Sequence, residues 1–544
     1  MQKFSAGLIA WAASLILVLC LSGTSPTAVQ AGSAAGQDSI LSRYYQWLDQ
    51  GEAALDDIMA AIQSDNWRMR THGLLAIGQV GGQKHIPLVM ERLVKDDNRA
   101  VKNCAVTALG DLKAKAAVPD LLEFLAPASG SVSRPVQPQK RVVVKALGKI
   151  GDPRAVEPLC RMLLAYPNQQ MRSEIRDALI AIGDPSVSRL LLKAATEKKP
   201  FPYAAAAEVI GELPVQGAEP FLLKLLDHER RTVKNAAAVA LASTGTEKSV
   251  PSLLETFRTA PSHLQKNIAD ALVAIDSEKA VKPFCQMLSS PEQKTAMTAA
   301  AVLSRMTAGD IADRVFARFQ DNHSINAPAA YVLGRKAYAP AAATLKNRLK
   351  QMDKDGHDEM AEALGRIGAR DAVPLLIRVA QRENEKGAAG AIWSLGRLEA
   401  ENAVPVLLSL LGERSRRLTA PLIYALGEIG DPKATKPLIE LFYETGLRYQ
   451  LQIGLALANI GGPRVKEFIN ANIESGNPKR LRMAGYMLMK SRDKSLIPLA
   501  LKLLAHDSED LQRYAIGALK NITGLDYDTA SRWRTWAEKN KYLN

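Results

Sequence analysis

Apolar residues recur along this chain at three- and four-residue spacing, in helix-length segments separated by short stretches rich in Gly, Asp and Pro. That period belongs to one face of an α-helix rather than to the alternation of a strand. The stretch from Arg414 to Glu444 shows the unit. Leu418, Leu422, Ile423, Ala425 and Leu426 give a first helix its apolar face. Gly430 is placed to stop that helix, because glycine accepts the left-handed conformation that follows a helix end. Asp431-Pro432 follows, and Pro437 sits in the first turn of a second helix, where its missing N–H costs nothing. Leu438, Leu441 and Phe442 form the apolar face of that second helix.

The unit repeats. Aligned on the short motif Ala-Leu-Gly, the third position falls at Gly78, Gly110, Gly148, Ile180, Gly211, Ala242, Val273, Ser304, Gly334, Gly365, Gly396, Gly427, Ala458, Met489 and Lys520. The step is 30 to 32 residues except between 110 and 148. The preceding residue is Leu in 13 of these 15 copies, and the one before it is Ala in ten, so the column is a repeat and not a coincidence of composition. Gly-Asp-Pro recurs at 151–153 and 183–185, and prolines open the second helix at Pro87, Pro119, Pro158, Pro220, Pro251, Pro283, Pro374, Pro405 and Pro498. A helical pair of this size cannot bury its apolar face alone, whereas stacked pairs share one core. The pattern therefore predicts an all-α protein, an α-solenoid of about 15 antiparallel helix pairs.

The array is read as 65–528, with 127–138 as an inserted loop, since Pro127 to Pro138 is rich in Pro, Gly and Ser. Residues 39–64 read as an N-terminal helical cap carrying Tyr44, Tyr45 and Trp47, and 529–544 as a capping helix carrying Trp533 and Trp536. Ahead of them, Lys3 precedes an apolar run from Ala6 to Leu21 that closes on Ala28-Val29-Gln30-Ala31. This is the layout of a secretory signal peptide, residues 1–31, followed by a Gly/Ser/Ala linker, 32–38. The expectation is an exported protein, periplasmic or secreted, with no transmembrane helix in the mature chain. The alternatives are envelope anchoring through the same run or lipidation at Cys20.

Composition adds little to the fold and something to the partner. Lys and Arg number 70 against 56 acidic residues, a net charge of +14, which favours acidic partners over basic ones. No long Lys/Arg run is present, so no nucleic acid is expected. Of four cysteines, Cys104, Cys160 and Cys285 each fall in a different repeat without CxxC or metal spacing, and read as small buried apolar side chains.

VVVKALGKIGDPRAVEPL (142–159) and LTAPLIYALGEIGDPKATKPL (418–438) resemble the HEAT repeat in its short bacterial form, also found in phycobilin lyases. The resemblance spans about 65 to 540, and LKNITGLDYDTASRWRTWAEKN (519–540) is similar to the closing segment of exported bacterial HEAT-repeat proteins. It implies a superhelix whose second helices line an inner, concave surface, used mostly for scaffolding and binding. Fold does not dictate activity, so the function is sought in side chains.

Two repeat families of this kind are enzymatic. Deoxyhypusine hydroxylases hold iron through several His-Glu dipeptides, whereas this chain has the single pair His228-Glu229. Ligands that do not converge hold no metal. Phycobilin lyases attach chromophores in the cytoplasm, which an exported chain does not share. With no GxSxG and no phosphate loop after a strand, the reading is a protein without catalytic residues, metal or cofactor. It is expected to be a scaffold for a protein partner.

Charge supplies the candidate site. Thirteen residues past the anchor stand Arg161, Lys193 and Lys224 in three successive repeats, each about 200° around its helix from Leu159, Leu191 and Leu222. They form a local basic stripe that would also suit an anionic polymer or lipid surface. A second basic column, Arg70, Lys102, Lys140 and Arg172, opens the first helix and is expected to pair with inter-helix aspartates such as Asp152 and Asp184. A third group, Arg417, Arg448 and Lys479, is read as solvated.

Overall fold

The computed structural model describes residues 34–125, 139–166, 168–197, 201–322, 324, 326–351, 356–382, 387–413 and 415–542. The signal-peptide reading at 1–31 and the inserted loop at 127–138 lie outside them. The described residues are helices, 3-10 turns and connections, with no strand. They fall into two compact units, Met1–Ile275 and Asp276–Asn544. Each is an all-α stack of helical hairpins, the α-solenoid arrangement, and each is described by itself.

The hairpin at 140–165 shows how sequence becomes structure. Lys140–Ile150 forms the first helix and ends on Gly151, at φ 70° in the left-handed region. Asp152 then caps a 3-10 turn, Pro153–Ala155, by accepting from the Arg154 backbone N–H at 2.9 Å. The second helix, Val156–Ala165, follows. Gly430 and Asp431 repeat both devices in the other unit, at φ 74° and with the Lys433 N–H as donor. Where the corresponding residue is Ala337, it still takes φ 48°, against the roughly 1 kcal/mol preference of an L side chain for the right-handed region. Packing thus imposes the turn even without glycine. The proline pattern does not hold in every second helix. Glu278–Met287 starts early, on the Ser277 cap, so Pro283 lies inside the helix instead of in its first turn.

The Ala-Leu-Gly column has a packing meaning. The Leu is the seam: Leu109, Leu147, Leu179, Leu241 and Leu272 in the first unit are fully buried, as are Leu303, Leu364, Leu395, Leu426 and Leu488 in the second. Each such side chain contributes about 1.5–3 kcal/mol of burial. The Gly of one repeat faces the Ala of the next. A Cβ on Gly148 would stand 2.8 Å from the Ala178 Cα, and one on Gly396 2.5 Å from the Ala425 Cα. Backbone approach this close needs both positions to stay small.

The outermost elements cover the seam. The first described helix, Ala34–Gln50, begins within the stretch read as linker, where Ala34 and Ala35 are strong helix formers. It packs on the helix Trp67–Val80, with Tyr44 edge-on to the His72 ring at 6.0 Å; Tyr44 and Trp47 are buried, and burial pushes the Tyr44 phenol up to about 12. At the other end Ala530–Lys539 buries Trp533 completely, with the indole N–H donating to the Tyr527 carbonyl at 2.8 Å. Cys104, Cys160 and Cys285 are buried thiols, and burial pushes Cys160 up to about 12, so it stays protonated.

Candidate functional site on the second helices

Arg161, Lys193 and Lys224 lie on the second helices Val156–Ala165, Ser186–Glu197 and Glu219–Leu226 of the first unit. All three are exposed, while Leu159, Leu191 and Leu222 on the other side of the same helices are fully buried. Helical geometry alone produces this split: the three leucines cannot turn inward without the residue half a turn away turning outward. Arg161 makes an i,i+4 contact with Glu157 at 3.8 Å, both side chains about two-thirds exposed, which is worth little in water. Among the described residues no ion pair engages Lys193 or Lys224.

The second basic column does not pair as expected. Asp152 takes Arg154 at 2.8 Å, and Asp184 accepts from the Ser186 backbone N–H at 2.8 Å. The column instead ties the end of one hairpin to the start of the next. Lys102 donates to the Val94 carbonyl at 2.9 Å, Lys140 to Leu125 at 3.1 Å, and Arg172 to Tyr166 at 2.6 Å. Each acceptor closes the preceding second helix, whose last carbonyls have no partner within that helix. Where the column carries Gln, the amide does the same: Gln265 to Phe257 at 3.1 Å and Gln450 to Phe442 at 3.0 Å. Arg70 departs slightly, bonding Asp96 at 2.8 Å as well as the Ser64 carbonyl. Lys102 is only 4% exposed, and burial lowers the pKa of its ammonium. Lys102→Met should therefore lower unfolding free energy by about 1–3 kcal/mol by leaving a carbonyl unmet. Urea denaturation checks this, and an unchanged midpoint would show the tie to be dispensable.

In the third group, Arg417 bonds Asp358 at 2.7 Å and Lys479 is exposed, while the Arg448 side chain lies outside the described residues. His228 and Glu229 do not converge with other ligands. The His228 Nδ1 accepts from the Arg230 backbone N–H at 3.0 Å and its ring lies 5.3 Å from Tyr203. Among the described residues no group of three His, Cys, Asp or Glu side chains is placed to share a metal ion.

Two surfaces of the second unit escaped the sequence reading. An open groove of about 460 Å3 runs between the second helices Thr435–Glu444 and Pro463–Glu474. Tyr443 and Phe468 line it with Lys436, Glu440, Arg464 and Glu467, a mixture without net sign. The other is a column three residues before the anchor on successive first helices: Tyr331, Glu362, Trp393, Tyr424, Leu455 and Tyr486. The signal was present, because the same register in the first unit reads Leu75, Thr107, Lys145, Asp177, Glu208, Val239 and Asp270, without an aromatic ring. Only the stacking of the helices shows that these residues adjoin.

Comparison with known proteins agrees with the hairpin geometry. The family model described as HEAT repeats matches residues 55–137, 137–207, 202–265, 342–421 and 382–458. A bilin biosynthesis protein, PecE, of Mastigocladus laminosus is 29% identical over 146 residues, 27% of this chain and 54% of the relative. The phycocyanobilin lyase subunit alpha of a Nostoc species is 28% identical over 241 residues, 38% of this chain and 86% of the relative. The match thus spans about half the length of the first relative and most of the second. A solved structure of yeast importin-beta (Kap95p) aligns with TM-score 0.42 at 12% identity, over 98% of this chain and 80% of that one.

These relatives overturn the expectation of a protein without enzymatic activity. They are a lyase subunit and a bilin biosynthesis protein. The expectation rested on missing local motifs and on the reading of an exported chain, whereas a site assembled from side chains on neighbouring helices would leave no such motif. With repeat matches over more than half of its length and helical hairpins of that design in both units, the chain belongs to the HEAT-repeat family.

Proposed function

We propose that this HEAT-repeat protein holds an acidic protein partner against the second helices of its first unit, with Arg161, Lys193 and Lys224 as the contact row. The observation that supports the reading is that three cations stand exposed at one register of three successive second helices. Several such contacts add up across a partner that spans the repeats, and they weaken as salt rises. The same proposal places this work outside the cytoplasm, on the strength of the apolar run from Ala6 to Leu21.

The test is the triple reversal Arg161→Glu, Lys193→Glu and Lys224→Glu. These exposed changes should leave thermal unfolding unchanged and lower affinity for a poly-glutamate peptide by about tenfold or more, a loss of about 1.4 kcal/mol. Pull-down from envelope extract should then lose the proteins that the unaltered chain retains. Equal retention by both proteins discards the row as a contact surface. Capture of anionic vesicles but of no protein would assign the row to a lipid surface instead.

A second reading follows from the relatives: participation in attaching a bilin to a protein. The lyase subunit matches over 86% of its own length. Incubation of the chain with phycocyanobilin and a biliprotein apo-subunit tests it. A pigment that stays with the apo-subunit through a denaturing gel supports the reading, and pigment lost on denaturation removes it.

A further inference from the structure

Leu451 and Leu455 stand one turn apart on the first helix Leu447–Ile460 of the second unit, 49% and 39% exposed. Among the described residues no other helix presents two large apolar side chains so openly. Half-buried rings flank them on the neighbouring first helices, Tyr424 on Thr419–Ile429 and Tyr486 on Pro478–Lys490, both at the register of Leu455. The three helices are drawn together beneath this patch. A Cβ on Gly427 would stand 2.7 Å from the Ala456 Cα, and one on Gly454 3.0 Å from the Met483 Sδ. Exposed apolar groups gathered on one face mark an interaction surface more often than scattered ones do.

The charges beside the patch select its occupant. One turn beyond Tyr424, Leu455 and Tyr486 the three helices carry Glu428, Asn459 and Lys490, all exposed. Among the described residues neither Glu428 nor Lys490 makes an ion pair. Glu428 accepts a 3.4 Å hydrogen bond from the Asn459 amide, and the Lys490 ammonium lies 5.8 Å from the Tyr486 ring centre. The helix between them keeps the two charges apart within one chain. An acidic partner would meet Glu428 and a basic one would meet Lys490, so a single sign of charge does not suit this face.

A second copy of the chain suits it. In a twofold interface residue i meets residue j and j meets i, so the surface must carry its own complement. An axis lying along Leu447–Ile460 carries each flanking helix across onto the other and preserves height along the helices. Glu428 then faces the partner subunit's Lys490, and Lys490 faces the partner subunit's Glu428. Tyr424 faces the partner subunit's Tyr486, while Leu451, Leu455 and Asn459 meet their own copies on the axis. An Asn amide offers both donor and acceptor, so it can pair with itself. An axis along either flanking helix would instead set Glu428 against Glu428 or Lys490 against Lys490, and such repulsion discriminates against those arrangements.

We propose that two copies of this chain associate through the Leu451–Leu455 face of the second unit, with a Glu428–Lys490 ion pair between copies on each side of the twofold axis. Burial of the leucines and rings supplies the attraction, and the two ion pairs fix which helix lies on the axis. This surface lies on first helices of the other unit, so it stands or falls separately from the Arg161 row.

The experiment is sedimentation velocity of the full chain from about 1 to about 100 µM, the range in which a small interface associates. The unaltered chain should pass from monomer to dimer across it. Leu455→Asp, at an exposed position, should weaken the dimer about tenfold or more with unchanged circular dichroism. Glu428→Lys and Lys490→Glu should each weaken it as much, because each sets two like-charged contacts across the axis. An equimolar mixture of these two variants should dimerise again, since every such contact then joins opposite charges. The triple reversal of the Arg161 row should leave the dimer intact. A chain that stays monomeric throughout overturns the inference. So does a dimer indifferent to Leu455→Asp, or a mixture that associates no better than its two components.

Discussion

Leu426→Asp is expected to cost about 4 kcal/mol or more of unfolding free energy and to break the second unit's cooperative transition around its repeat. Leu426 is fully buried on the helix Thr419–Ile429. Its replacement forfeits about 1.5–3 kcal/mol of burial. It also places a carboxyl at a position with no exposure to water, and a buried charge without a partner is costlier than the lost burial. In a repeat stack each hairpin is held mainly by its neighbours, so the damage should spread outward from one seam position before it reaches the whole unit. Urea denaturation of the full chain, followed by far-ultraviolet circular dichroism, is the measurement. A midpoint and slope matching the unaltered protein would refute the shared seam.

Gly396→Val should be nearly as damaging, at about 3 kcal/mol, for a different reason. Here nothing polar is buried. A Cβ at this position would meet the Ala425 Cα at 2.5 Å, and the obstacle is backbone, which cannot rotate aside. Gly412, also helical, has open space where its Cβ would project. Gly412→Ala should therefore stabilise, by about 0.5–1 kcal/mol, because alanine loses less conformational freedom than glycine in a helix. Opposite signs at the two glycines would assign the first to helix approach. Loss of stability at both, or at neither, would mean that the spacing between first helices is not what the motif encodes.

Much of the hairpin design was legible along the chain. Gly151 and Gly430 marked helix ends because few other residues take the left-handed conformation readily. The Leu of the motif marked the seam because an apolar residue at a fixed place in every period has one face on which to be buried. The exposure of Arg161, Lys193 and Lys224 followed from the same geometry, since Leu159, Leu191 and Leu222 are committed to the other side. Exposure is all that this geometry supplies for these three cations.

Side-chain partners were harder to read than positions. The pairing of Arg70, Lys102, Lys140 and Arg172 with turn aspartates treated charge as the deciding quantity. The aspartates were already occupied locally, with Asp152 capping its own turn and holding Arg154. The cations met a different demand, the open carbonyls at the end of the preceding helix, and Gln265 and Gln450 meet it equally well without charge. The expectation of no enzymatic activity failed against the relatives for a related reason: absent linear motifs say nothing about groups that converge from separate helices, and the export reading alone had set the phycobilin-lyase resemblance aside.

The sequence alone determined the local conformation and the inward face of each hairpin, because helix period, glycine stops and proline starts act within a few residues of one another. Only the tertiary structure decided which helices adjoin, where the division between Ile275 and Asp276 falls, which carbonyls Lys102 and its counterparts bond, and that Trp393 lies flat against Tyr424. Those outcomes depend on side chains about one repeat apart along the chain and a few ångströms apart in space. Contacts of that kind are set by packing between hairpins and leave no trace in the pattern of any one of them.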